Sequence, residues 1–130
     1  MSNKQMTAST SVRIRMDDVK VFGPGIAELL ERIDRCESIR TATMEMKIAY
    51  SKAWTILKQV EDALGFKLLL STAGGQHGGG AVLTEQGEAM LSAYDAYSSA
   101  IEAESQQLFL KYFSSFLNSG FNSDENPAQN

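Results

Sequence analysis

Apolar positions along this chain change their period several times, and each change marks a predicted element. From Ser11 to Met16, Val12, Ile14 and Met16 alternate with Arg13 and Arg15. That is the period of two expected of a half-buried strand with basic side chains on its other face. Gly23-Pro24-Gly25 then breaks the chain, and Pro24 suits the first turn of a helix because its missing N–H would be unpaired there anyway. Ile26, Leu29, Leu30 and Ile33 follow at helical spacing and form one inward stripe. Ser38 is placed to cap a second, short helix whose inward face is Ile39, Ala42, Thr43 and Met46. A break over Lys47 to Ala49 leads into a third helix from Tyr50 to about Leu64, with Ala53, Leu57, Val60 and Leu64 inward and Gly65 as its stop.

Lys67 to Thr72 reads as a strand and Ala81 to Leu83 as its return, which makes a hairpin. Its tip, AGGQHGGG over 73–80, holds five glycines. Thr84 can cap a last, long helix on which Met90, Tyr94, Tyr97, Ile101 and Leu108 recur close to a heptad seam. Leu91, Phe109, Phe113 and Phe116 widen that apolar surface. The polar, aperiodic residues 1–10 are expected to be a disordered arm, and 119–130 a disordered tail. Between them lie a predicted winged helix-turn-helix over 11–84 and a predicted dimerisation helix over 85–118. The expected fold class is mainly α with a small β-hairpin wing.

Helix, short turn, helix and hairpin is the order of a winged helix-turn-helix, whose second motif helix enters the major groove. Opposite its buried stripe the third helix carries Ser51, Thr55 and Lys58, flanked by Lys52 and Gln59. Lys meets phosphates or guanine, while Gln and Ser bond base edges. Tyr50 opens the helix at the end that meets the groove, and Lys47 and Arg40 are placed to reach phosphates. Trp54 is expected to pack against the wing or the first helix. An apolar seam as long as that of the last helix implies a partner, and a second copy is the default.

Composition narrows the chemistry. The chain of 130 residues carries twelve Lys and Arg against sixteen Asp and Glu, a formal charge of -4, which excludes a globally basic nucleic-acid binder. Divided at Lys67, however, the first part has eleven basic and nine acidic side chains, a balance of +2. The remainder has one basic side chain, Lys111, and seven acidic ones, a balance of -6. An acidic partner would therefore be met by the first part. One cysteine, Cys36, and one histidine, His77, supply neither a disulfide nor a multi-cysteine zinc site nor a nucleophile–base pair. No enzyme activity, metal or cofactor is expected, and Cys36 is read as a small apolar residue near the end of the first helix. The glycine-rich tip lacks the Gly-Lys-Ser/Thr of a nucleotide loop and runs into a strand instead. With no run of about 18 apolar residues and no apolar signal core, a cytoplasmic, membrane-free protein is expected.

The stretch from Val21 to Leu91 resembles the N-terminal winged-helix domain of ModE-type molybdate-responsive regulators, itself related to the DNA-binding domain of LysR-type regulators. The likeness is carried by Tyr50-Ser51-Lys52-Ala53-Trp54, by Leu64-Gly65-Phe66, by the tip Gly74-Gly75-Gln76-His77-Gly78-Gly79-Gly80, and by Leu83-Thr84 with Gly87. It covers roughly residues 11–110. The resemblance implies a dimeric regulator of transcription that reads double-stranded DNA, with Gln76 and His77 as the wing's candidates for contact. Two departures stand out. The family's wing lysine is replaced by Gln76-His77, and the glycine and serine of its motif turn by Lys47 and Ala49. Molybdate-sensing members continue into an oxyanion-binding domain that these 130 residues do not contain, so molybdate is not an expected ligand. The alternative reading, supported by the net acidity and the uncharged wing, is a winged-helix protein-interaction module that no longer binds DNA.

Overall fold

The computed structural model describes residues 4–72 and 80–118. In chain order it contains β1 (Ile14–Met16), β2 (Val19–Phe22), α1 (Pro24–Cys36), α2 (Ile39–Met46), α3 (Tyr50–Leu64), β3 (Leu69–Thr72), β4 (Gly80–Leu83) and α4 (Glu85–Asn118). Two compact units emerge: one is Ser11–Tyr97, and the other joins residues of Met1–Thr10 to those of Ser98–Asn130. The Gly-rich tip with Gln76 and His77, and the expected tail over 119–130, lie outside the described residues.

In the first unit, strand alternation at Ser11–Met16 turns out to be half of a hairpin. β1 pairs antiparallel with β2, Arg15 opposite Lys20 and Met16 opposite Val19, through a turn in which Asp17 takes φ 53. The strand β2 escapes a period-two reading because its last residues, Val21 and Phe22, are both buried. The core gathers Phe22, the α1 stripe Ile26, Leu29, Leu30 and Ile33, then Ala42, Ala53, Leu57, Val60 and Leu68. Each large aliphatic side chain buried there contributes about 1.5–3 kcal/mol relative to exposure.

Caps match the sequence closely. Pro24 begins α1, Ser38 Oγ accepts the Thr41 amide at 3.0 Å, and Gly65 ends α3 in the left-handed region at φ 84. Cys36 is partly buried, its thiol 3.4 Å from the Ser38 carbonyl.

The wing is tied to α1 and α4 as well as to itself. β3 and β4 pair from Leu69–Leu83 to Thr72–Gly80. The Ala81 amide donates to the Glu37 carbonyl at the end of α1, 3.1 Å away. Thr84 fastens the start of α4: its hydroxyl donates to the Lys67 carbonyl at 2.7 Å and accepts the Gly87 amide at 2.8 Å. Glycine is required at position 87, because a Cβ there would run into the carbonyl of Leu68.

In the other unit, residues 4–10 have no regular secondary structure, yet side chains of α4 hold two of them. Thr10 donates to Glu102 at 2.8 Å, and Gln106 donates both to the Ala8 carbonyl at 2.9 Å and to Glu102 at 2.8 Å. The hydrogen bond from Thr10, then that from Gln106, holds the Glu102 carboxyl below its ordinary range. Among the described residues, no helix is long and apolar enough to cross a membrane.

One acidic contact within the first unit opposes its own stability. Partial burial, then the carboxyl of Asp95, raises the pKa of Glu31 above 4.5; Glu28 adds to the rise and Arg35 opposes it. The folded protein thus holds this proton to higher pH than the unfolded chain, and stability falls as pH climbs upward from about 4.5. Glu31→Gln is expected to remove that fall. Equilibrium unfolding of both proteins across the acidic range should show the difference opening with pH, kept below about 1 kcal/mol by solvent screening.

Candidate nucleic-acid interface

α2, the turn and α3 build the surface that the sequence singled out. Ala53, Leu57, Val60 and Glu61 face inward, and Ile56, Ala63 and Leu64 are half-buried at the edges. Three ridges run along the outer surface at three- or four-residue steps. Ser51 and Thr55 form the middle one, and Lys52, Ile56 and Gln59 lie on one flank. Tyr50, Trp54 and Lys58 form the other flank. Ser51, Lys52, Thr55 and Gln59 are all exposed, and Lys58 is partly so. The predicted residues of this helix therefore share one outward surface. Of the wing's two candidates, Gln76 and His77, neither lies among the described residues.

Trp54, expected to pack against the wing or the first helix, is 47% exposed. Positions 54 and 61 are seven apart and so lie on one helix face. At the second of them the side chain turns in, and Glu61 Oε2 accepts the amides of Leu68 at 2.7 Å and Leu69 at 3.1 Å where β3 begins. The earlier turn bearing Trp54 has no such cover. Sequence periodicity missed Glu61 because a carboxyl on the core side of a helix breaks the apolar stripe.

Two cation–aromatic contacts organise that flank. The Arg40 guanidinium, from α2, sits 4.6 Å from the centre of the Tyr50 ring, and Lys58 Nζ lies 5.6 Å from that of Trp54. Among the described residues, neither Arg40 nor Lys58 forms an ion pair. Arg32 and Arg35 differ. Arg32 bridges Glu28 at 2.7 Å and Glu45 at 2.8 Å, and Arg35 shares Glu45 at 2.8 Å. These two arginines are neutralised within the domain, while Arg40, Lys47, Lys52 and Lys58 keep their charge for an outside group.

On the opposite flank Lys52 and Gln59 also border an open groove of about 870 Å³. Ile26, Leu29, Ile48 and Ile56 contribute its apolar lining, and Lys20, Asp18 and Asp62 contribute charge of both signs.

The turn itself carries local cost. Lys47 occupies the left-handed region at φ 60, its amide bonded to the carbonyls of Met44 and Thr43. Ala49, at the N-cap of α3, supplies no side-chain cap. Those are the two positions at which glycine and serine were expected from resemblance, and the backbone explains both preferences.

Of the five residues expected at a dimer seam, Tyr97 and Leu108 are exposed at 52% and 50%, and Met90 and Ile101 are partly buried. Tyr94 is occupied by its own domain: its ring lies 4.9 Å from that of Phe22 and its hydroxyl donates to the Val12 carbonyl at 2.7 Å.

Residues 27–88, from α1 through the wing to the first turn of α4, match the family described as bacterial regulatory helix-turn-helix protein, lysR family. This stretch is a LysR-type helix-turn-helix domain. That family is one of regulators, not enzymes. The domain has relatives with molybdenum in their names. The chain is 30% identical over 108 residues to the molybdenum transport protein ModE of Azotobacter vinelandii, covering 80% of this chain and 38% of that protein. It is 36% identical over 73 residues to the molybdenum-pterin-binding protein MopB of Rhodobacter capsulatus, covering 56% and 27%. A third relative, the DNA-binding transcriptional dual regulator ModE of Escherichia coli (strain K12), is 28% identical over 90 residues, covering 69% and 34%. The chain thus spans between about a quarter and two fifths of the length of these relatives.

For the LysR-type domain the turn makes a direct prediction. Lys47→Gly and Ala49→Ser are each expected to stabilise the fold by about 1 kcal/mol, the first by relieving the left-handed backbone and the second by capping an orphan amide. Chemical denaturation of the two single variants checks both signs.

Proposed function

We propose that this protein is a cytoplasmic DNA-binding regulator of transcription that acts as a homodimer on a palindromic site, with α3 in the major groove. The observation that carries this reading is the surface of α3. Ser51, Lys52, Thr55 and Gln59 project together from the second motif helix, bordered by cations that have no carboxylate partner among the described residues. Such a surface offers base-edge donors and acceptors in its centre and phosphate partners at its sides. The loss of the two pairable arginines, Arg32 and Arg35, to Glu28 and Glu45 does not reach it.

Dimerisation is inferred from α4. Tyr97, Leu108, Tyr112 and Phe113 are 52%, 50%, 67% and 43% exposed, more large apolar surface than a lone helix face normally leaves in water. A second copy covering it would bring two LysR-type domains to two half-sites of one duplex.

Selection from random duplex DNA with the purified protein at moderate salt tests the reading, and enrichment of a palindromic motif is the expected outcome. Absence of any enrichment would instead favour the protein-interaction reading, for which the groove beside Lys52 and Gln59 supplies an apolar surface. Within a recovered site, Lys52→Ala is expected to weaken binding and to lower the dependence of log affinity on log salt by about one, as for one lost phosphate contact. Titration at several salt concentrations measures it, and an unchanged slope and affinity removes Lys52 from the interface.

A further inference from the structure

We propose that Trp54 is a contact to the DNA backbone, and that the ridge Arg40–Tyr50–Trp54–Lys58 seats the sugar–phosphate strand bordering the bases that Ser51 and Thr55 face. The inference rests on the DNA-binding reading and adds to it a residue whose sequence position gave no such sign. Trp54 is the chain's single tryptophan, and it stands 47% exposed beside Tyr50, itself 39% exposed. Such an apolar pair in water, on the helix assigned to the groove, gains free energy if a ligand covers it.

The kind of ligand follows from the cations interleaved with the rings. Arg40 lies 4.6 Å from the Tyr50 ring centre, and Lys58 lies 5.6 Å from that of Trp54. A guanidinium stacked on a ring through its face keeps its N–H donors at the edge, free for phosphate oxygens. The ammonium of Lys58, held near an indole, is likewise placed in advance of contact. Cations at both ends of a ridge with rings between them suit a nucleic-acid strand, which offers phosphates to the charges and deoxyribose to the rings. Among the described residues no carboxylate pairs with either cation or competes with an outside anion for them. An acidic protein segment would satisfy the cations but would leave the two rings without the apolar C–H faces that the sugars supply.

Backbone contact is independent of sequence, so the test needs no operator. A labelled mixed-sequence duplex is titrated at about 50 mM salt, with binding read by anisotropy of the label. In the same samples, acrylamide quenching of tryptophan emission reports Trp54 alone. Quenching is expected to fall when the duplex saturates the protein. Trp54→Ala is expected to weaken binding about three- to ten-fold with the salt slope unchanged, whereas Lys58→Ala lowers the slope by about one. Trp54→Phe, which keeps a ring, is expected to retain most of the affinity. Binding with undiminished quenching overturns the proposal while leaving the DNA reading intact. Protection of the indole with full affinity in Trp54→Ala also overturns it, since the contact then contributes nothing. Failure of the wild-type protein to bind the duplex overturns both readings together.

Discussion

A single buried side chain joins the motif helix to the wing. Glu61 turns into the core side of α3, and one of its carboxyl oxygens accepts two successive amides, those of Leu68 and Leu69, where β3 begins. Buried amides left without partners each cost on the order of 1–3 kcal/mol, so this contact replaces water that the core cannot admit. The chain leaves α3 through Gly65, and the fixed point at Leu68 helps set the direction of the hairpin, together with the bond from Ala81 to the Glu37 carbonyl. Thr84 repeats the device from the other side, bonding Lys67 and opening α4. Two polar side chains thus tie the end of α3, the hairpin and the first turn of α4 to one another within the first unit.

The surface that results is shaped as much by cancelled charge as by exposed charge. Among the described residues Arg32 and Arg35 are closed off by Glu28 and Glu45, while the cations around α3 have no carboxylate partner and can act on an outside anion. A net charge of -4 therefore says little about this face. What decides its chemistry is which side chains have partners already.

Much of this was legible in the sequence, and the exceptions share a cause. α1, α2, α3 and the start of α4 follow from stripes and caps that act locally, as with Ser38, Gly65 and Thr84. The β1–β2 hairpin was only half legible, since burial of both Val21 and Phe22 erased the alternation that reveals a strand. Trp54 and Glu61 were missed together. Trp54 was expected to pack against the wing or the first helix and stands exposed, while Glu61 breaks the apolar stripe because its carboxyl serves the amides where β3 begins. Tyr94 was placed on the α4 seam by spacing, but the pairing of Phe22 with its ring depends on where the N-terminal hairpin lies, which no local pattern encodes.

Lys47 has a mechanical consequence. A glycine in the motif turn would share a broad basin of positive φ, and the angle between α2 and α3 would have play in it. A side chain with a Cβ confines the backbone to a small left-handed well, so the same turn becomes a joint with little compliance. The α3 surface would then meet any partner at a set angle, and the partner would have to do the bending.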